Sequence, residues 1–479
     1  MSAKHSRNPW VVLVIICLAQ FMVVLDATIV NVALPHIQSS LGFTEASLQW
    51  VINAYTLVFA GFLLLGGRAG DLLGRKRLFL VGLVVFTAAS LLDGISTTSG
   101  MLIGFRALQG LGAALISPAA LSIISTTFAE GKERARALGV WAAIAIGGSA
   151  VGLVLGGALT QAFSWRWIFF VNIPVGIFAF FAALRLVPES KDEHAHKGYD
   201  LAGAVTVTGG LMLLVYGLVN SAQHGWGSTV SIVSFVAAAA LLVGFVLVEQ
   251  RSAEPLVRLS IFRVRSLTTA NLAMFLAFSG MFAMFFFNTQ YIQRALGFGP
   301  LKAGVAFLPF TAGIMISAGL ASAFAPRIGV RPVTATGMVL TILGLLLFAR
   351  MPVNGSYASD VLPGMILASL GMGAIFMPLT LVATTGLKNE DQGLASGLFN
   401  TSQQVGGALG LAILTTVAVG HTSDPNSLPD VVHGWQYAFG GAAVLVAASL
   451  VVFLALLRSR DVARIEAEAR TDDEPVFVS

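Results

Sequence analysis

Two charged side chains stand in stretches that are otherwise almost purely apolar, Asp26 within residues 10–34 and Arg106 within residues 100–125. A charge at the centre of a bilayer costs about 2.5–3.5 kcal/mol on insertion scales, so it persists where it has a partner or a task. Asp26 is a carboxyl that could load and release a proton. Its alternative is a structural partner for an Asn or Arg on a neighbouring helix. Around Arg106 the chain reads GFRALQGLGAALISPAA. At helical spacing Arg106, Gly110, Ala113, Ala114 and Ser117 share one face, small enough for close approach of another helix. The arginine then points into protein and requires an anion or carbonyls. A proton relay and a structural ion pair both remain open for it. Asp93 is the other acid inside an apolar stretch, and it falls near an end.

Weaker candidates follow the same logic. Gly148, Gly152 and Gly156, with Gly157 beside them, form a stripe of small residues. It serves either helix packing or a seal that closes a cavity in one state. Trp50, Asn53, Asn271, Asn288, Gln290, Asn400 and Gln403 are aromatic or amide groups on helical faces. They read as interhelical glue or as contacts for a bound molecule. Met274, Phe278, Met281 and Phe285 give the Asn271 helix a soft, adaptable face.

The elements that must position these groups are membrane helices. Of the 479 residues 56% are hydrophobic and only 11% are charged. Soluble domains carry about 25% charged residues, so neither a cytosolic enzyme nor a disordered regulator can be built from this set. Fourteen stretches are long and apolar enough to span: 10–34, 47–67, 77–97, 100–125, 136–160, 167–187, 200–220, 229–249, 266–290, 302–324, 331–351, 359–383, 392–417 and 434–457. The first is too long for a signal-peptide core and is expected to be retained. With the N-terminus placed in the cytoplasm, 23 of the 28 Lys and Arg fall on the cytoplasmic side. This asymmetry predicts a multi-pass cell-membrane protein with both termini cytoplasmic. It also accounts for the net charge of +5 without nucleic acid as a partner. The single cysteine, Cys17, excludes an intramolecular disulfide and a cysteine metal site.

Polar linkers at 185–200 and 249–266 divide the chain. The expected domains are a six-helix bundle over 1–190, an inserted helix pair over 191–265, a second six-helix bundle over 266–457, and a cytoplasmic tail over 458–479. A weak repeat supports the division: DLLGRKR at 71–77 is echoed by PRIGVRP at 326–332, and LQGLGAA at 108–114 by SLGMGAI at 369–375. Paired bundles of this kind suit a transporter with its site near the midplane. In the first repeat element, Gly67 and Gly74 permit tight packing and turning, Asp71 can accept hydrogen bonds at a helix end, and Arg75 and Lys76 hold the loop inside the cell.

These segments resemble the major facilitator superfamily, and within it the fourteen-helix drug:proton antiporter family. LDATIVNVALP at 25–35 looks like that family's first-helix signature, and GGRAGDLLGRKRL at 66–78 is similar to the superfamily's motif between helices 2 and 3. RALQGLGAA at 106–114 looks like the arginine motif of helix 4, tied in the family to proton coupling. SWRWIFFVNIPVG at 164–176, YIQRALGFGPLKAGVAFLP at 291–309 and GLASGLFNTSQQVGGALG at 393–410 extend the similarity. One departure stands out. Where the family's fifth helix carries Gly-Pro, this chain has Gly152-Leu153, followed by Gly156-Gly157.

The resemblance implies an all-α integral membrane protein of the major facilitator fold, two six-helix bundles plus two inserted helices. It implies a proton-coupled antiporter exporting amphiphilic drugs, antibiotics or secondary metabolites by alternating access. Asp26 and Arg106 would couple protons, and Gly67, Asp71, Gly74, Arg75 and Lys76 would form a conformational gate. Its partners would be a small amphiphilic substrate, protons and membrane lipids, with the chain acting as a monomer. No GxxxxGK[ST] phosphate loop occurs, so no ATP site or other cofactor is expected. A symporter and a dedicated exporter of one metabolite are rivals within transport. A membrane sensor and an intramembrane enzyme are rivals outside it. The seven histidines lie outside the fourteen stretches and no HExxH is present, which argues against hydrolysis and a metal site.

Overall fold

The computed structural model describes residues 8–128, 132–190, 200–252, 255–384 and 389–457, without the side chains of Asp71, Lys132, Ala135, Ala222, Pro326 and residues 142–143, 145–146 and 389–393. The tail at 458–479, most of the first linker and Lys388 lie outside the described residues. Among the described residues every regular element is helical.

The long helices are α1 Pro9–Leu41, α2 Trp50–Leu73, α3 Arg75–Gly94, α4 Ser99–Thr127, α5 Lys132–Ala162 and α6 Asn172–Leu186. They continue with α7 Leu201–His224, α8 Thr229–Arg251, α9 Arg265–Gln290, α10 Leu308–Ile328 and α11 Val330–Phe348. The last three are α12 Leu362–Thr384, α13 Asn389–Gly420 and α14 Leu428–Leu456. Among the described residues, thirteen spans are long and apolar enough to cross a membrane. α5, 31 residues long, occupies the place of the remaining predicted stretch.

Local chemistry sets the ends. Asn8 caps α1 by accepting from the Trp10 amide at 3.0 Å, with Pro9 at the first helical position, and Gly42 ends the helix in the left-handed region. The helix therefore outruns the predicted stretch. His36, placed outside it by the sequence, lies on the penultimate turn of α1, and His433 lies near the start of α14; both are exposed. The sixth stretch is broken into a turn at Trp167–Phe170 and α6, and the tenth into Pro300–Ala306 and α10. Hydropathy reads apolar content, which such breaks leave unchanged.

The chain divides into two units. The first comprises Met1–Met212, Ala237–Leu256 and Gly299–Val305; the second comprises Leu213–Val236, Val257–Phe298 and Ala306–Ser479. In the first, α4 packs on α1, α2 and α3, α1 packs on α5 and α6, and α3 packs on α6. In the second, α12 packs on α9, α10 and α11, α9 packs on α13 and α14, and α11 packs on α14. The two pairing schemes are the same when α1–α6 are matched to α9–α14. The repeat motifs mark equivalent corners. Gly74 joins α2 to α3 at φ +107°, and Gly329 joins α10 to α11 at φ +93°. Both are in the region that a side chain strains, which is why glycine stands in each copy. In the first unit the inserted helices are attached by Thr208, which fills the space at Gly61, and by Arg68, which donates to the Pro255 carbonyl at 3.2 Å.

Candidate functional site

Asp26 and Arg106 meet inside the first unit. Arg106 Nη1 is 2.5 Å from Asp26 Oδ2, and the two residues are 1% and 0% exposed. α4 carries Arg106 inward on the small-residue face read from the sequence, where Gly110 presses on the Tyr55 carbonyl of α2. Arg106 Nε donates to the Val51 carbonyl at 3.0 Å, and Nη1 also donates to Gln109 Oε1 at 2.5 Å. The guanidinium lies over the Tyr55 ring at 4.5 Å, with the Phe169 ring at 5.7 Å. Stacking on such faces adds roughly 2 kcal/mol when desolvated.

The other oxygen of Asp26 is held by two amides, one on α4 and one at the start of α6. Gln109 Nε2 donates to Oδ1 at 2.8 Å and Asn172 Nδ2 donates to the same atom at 2.9 Å. Both amides also donate to Ser90 Oγ, at 3.2 and 3.0 Å, and Ser90 donates on to the Phe169 carbonyl at 2.9 Å. One network thus joins α1, α2, α3, α4 and the start of α6. A buried pair is stable when its remaining valences are satisfied, and here nearly every one is. Breaking such a pair by removing one partner costs about 3–5 kcal/mol.

Sequence reasoning missed Gln109, Asn172 and Ser90. A signal existed. Gln109 lies one turn from Arg106 on its helix, and Asn172 is an amide within an apolar run of the 164–176 segment. Asp93, one turn along α3 from Ser90, is also fully buried, and neither of its carboxyl oxygens has a hydrogen-bond partner.

The glycine stripe faces α1. Gly148 lies against Phe21 and Val24, Gly152 against Thr28 and the Leu25 carbonyl, and Gly156 against Ile29. A Cβ at Gly156 would be 2.7 Å from the Ile29 carbonyl oxygen, so the stripe fixes the helix that carries Asp26. Gly157 points elsewhere, onto the backbone of Pro300 and Leu301. At Leu153 the helix continues without the proline of the family pattern.

In the segment expected to form a gate, Gly67 has only ordinary contact with Pro118, while its neighbour Gly66 presses on the Ala114 carbonyl. The side chain of Asp71 lies outside the described residues. The start of α3 is tied to the end of α6 and the segment after it. Arg75 N donates to the Ser190 carbonyl at 2.9 Å, Lys76 N to Glu189 Oε1 at 3.1 Å, and Lys76 Nζ to the Leu184 carbonyl at 2.8 Å. Glu189 is thus a carboxylate at a helix N-terminus, favoured by the helix dipole.

The cavity candidates fall in both units. In the first, Trp50 and Asn53 are buried, and Asn53 Nδ2 donates to Gln49 Oε1 at 3.2 Å. In the second, Asn271 is glue: it donates to the Leu267 carbonyl at 2.8 Å and accepts from Ser402 at 2.8 Å, joining α9 to α13. Asn288 and Gln290 are buried with neither amide atom partnered, Gln403 is half-buried and Asn400 is exposed. Among the described residues the second unit does not repeat the ion pair. Matching 108–114 with 369–375 puts Leu367 opposite Arg106 and Leu370 opposite Gln109. Among the described residues no cluster of three or more His, Cys, Asp or Glu could hold a metal ion.

Comparison with known proteins agrees with this architecture. The chain is 40% identical to the puromycin resistance protein pur8 of Streptomyces alboniger, over 94% of this chain and 92% of that one. It is also 40% identical to the cephamycin export protein CmcT of Amycolatopsis lactamdurans, over 93% of each. The multidrug resistance protein Stp of Mycobacterium tuberculosis is 37% identical over 86% of this chain and 76% of that one. Among solved structures, a peptide transporter POT bound to sulfate shares the fold at TM-score 0.68 and 15% identity, covering 94% of this chain and 95% of that one. A bacterial homologue of the lysosomal transporter Spinster does so at TM-score 0.67 and 16% identity, covering 97% and 99%. The profile of the Major Facilitator Superfamily matches residues 16–411, and with relatives at this identity over nearly the whole length, the chain is a multi-pass membrane transporter of that superfamily and not an enzyme.

Proposed function

We propose that this chain is a proton-driven exporter, exchanging inward protons for an outward small amphiphilic compound of the antibiotic type by alternating access. It works as a monomer in the cell membrane with both termini cytoplasmic. The observation that carries the reading is the sealed Asp26–Arg106 pair and its five-helix network. A proton on Asp26 removes the negative partner of a buried guanidinium. One Asp26 oxygen turns from acceptor to donor and Arg106 is left without an anion, so protonation is a switch between packings of α1 against α4 and α6. Substrate occupancy competes with that proton.

The energy is adequate. Each charge moved across 100 mV is worth ~2.3 kcal/mol, about fifty-fold in concentration. The basic asymmetry of the loops supports the orientation. The gate reading of Gly67, Asp71, Gly74, Arg75 and Lys76 belongs to the same proposal, with Glu189 as the group that latches the start of α3.

A narrower version is favoured by the relatives. The two that are 40% identical are named for resistance to, or export of, single antibiotics. The reading is therefore export of one compound or a close set, with broad multidrug transport as the wider alternative. Everted vesicles carrying the full chain test it with puromycin and a cephamycin as probes. Uptake into the vesicles driven by an imposed ΔpH, abolished by a protonophore, is the expected result. Proton-coupled transport that persists in Asp26→Asn overturns the assignment of coupling to Asp26.

A further inference from the structure

The site holds more buried acid than its one cation can balance. Asp26 and Asp93 are both 0% exposed, on α1 and α3, and Arg106 lies within electrostatic reach of both. Arg106 spends its hydrogen bonds on Asp26, Gln109 and Val51. Asp93 receives none, and neither of its oxygens meets a donor. The charged groups that act on it are Arg106 and Asp26; Arg166, at the start of the turn before α6, is the other cation close by in the fold. Arg166 is committed to the Gly94 and Ser96 carbonyls at 2.9 and 2.6 Å, immediately beyond Asp93. An ionised carboxylate buried with no protein donor and no cation of its own is strongly disfavoured. The neutral acid avoids that cost.

We propose that Asp93 is a second proton-binding carboxyl of this site, carrying the proton while Asp26 pairs with Arg106, and that the two acids exchange these roles through the shared guanidinium. The ligand of the added site is the hydronium-derived proton itself. In the exchange, the O–H bond at Asp93 breaks and one forms at Asp26, while the guanidinium passes from Asp26 to Asp93. One proton, one anion and one cation are present before and after, so the buried site stays neutral. Ser90 lies one turn from Asp93 on α3 and accepts from the two amides that hold Asp26. The exchange step rests on the reading that Asp26 and Arg106 couple protons; the proton on Asp93 does not.

The test is infrared difference spectroscopy on the full chain in phosphatidylethanolamine–phosphatidylglycerol vesicles at neutral pH, with hydrogen–deuterium exchange to identify acid carbonyls. A carboxylic acid without hydrogen bonds absorbs at the high-frequency end of the C=O range. That band is expected in the wild type and lost in Asp93→Asn. It is expected to be lost in Asp26→Asn as well, because Asp93 then ionises as the counter-ion of Arg106. Asp93→Glu keeps the band at a shifted frequency, which separates loss of the acid from loss of the fold. A band that survives Asp93→Asn, or does not shift in Asp93→Glu, overturns the proton on Asp93. A band that survives Asp26→Asn overturns the exchange. Vesicle transport by Asp26→Asn reports on coupling separately, so the two proposals fail by different measurements.

Discussion

Asn172 donates to the same carboxylate oxygen of Asp26 that Gln109 holds, from 2.9 Å and from a different helix. Asp26 is therefore clamped between α4 and α6, with Arg106 taking its remaining oxygen. A switch built on this carboxyl acts on three helices at once, and the following expectations test that arrangement.

Asn172→Ala removes two donors, one to Asp26 and one to Ser90. Leaving buried acceptors short costs about 1–3 kcal/mol. The expected outcome is a lowered melting temperature in detergent and slower ΔpH-driven efflux. An unchanged melting temperature would show that the clamp contributes nothing to the fold.

Arg106→Lys keeps the charge and loses the fork. An ammonium on a flexible stem cannot hold the Val51 carbonyl and Asp26 together in the geometry seen here, nor stack its plane on Tyr55. Efflux is expected to fall by at least ten-fold with the protein still folded. Wild-type efflux by Arg106→Lys, measured at equal protein in the vesicles, would reduce the role of Arg106 to simple charge.

Gly156→Val sets branched carbons against the Ile29 carbonyl, and backbone cannot yield as a side-chain end can. Overpacking costs typically 1–3 kcal/mol, and here it displaces the helix bearing Asp26. Little folded protein is expected on size exclusion. Gly152→Ala is milder, because its first collision is with the Thr28 hydroxyl; Thr28→Ala should restore part of the loss. Strict additivity of the two changes would show that they do not touch.

Glu189→Ala removes the carboxylate at the start of α3 and the partner of Arg77 at 3.6 Å. Both side chains are solvent-exposed, so the loss is small, about 0.3–1 kcal/mol and reduced by salt. Gly74→Ala should cost more, since it combines a left-handed backbone with a Cβ 2.7 Å from the Glu189 carboxylate. A larger effect at Glu189 than at Gly74 in thermal melts would reverse this ranking.

Composition and periodicity were enough to read fourteen spans, because bilayer solvation acts on each helix separately. The repeat was legible at Gly74 and Gly329, where a backbone angle demands the same residue twice. Asp26 and Arg106 stood out for a similar reason: an isolated charge in an apolar run is conspicuous whatever surrounds it. Their being partners was not written in either segment. Eighty positions separate them, and only the packing of α4 on α1 makes one the counter-ion of the other. The amides were harder still. Gln109 and Asn172 look in sequence like any other polar residue on a helix, as Asn271 does, yet two of them hold the ion pair while the third joins α9 to α13. The sequence determined which groups could not be left in lipid unpartnered; the tertiary structure decided who partners whom. Desolvation depends on a residue's own chemistry, but a hydrogen bond depends on the distance and direction between two atoms.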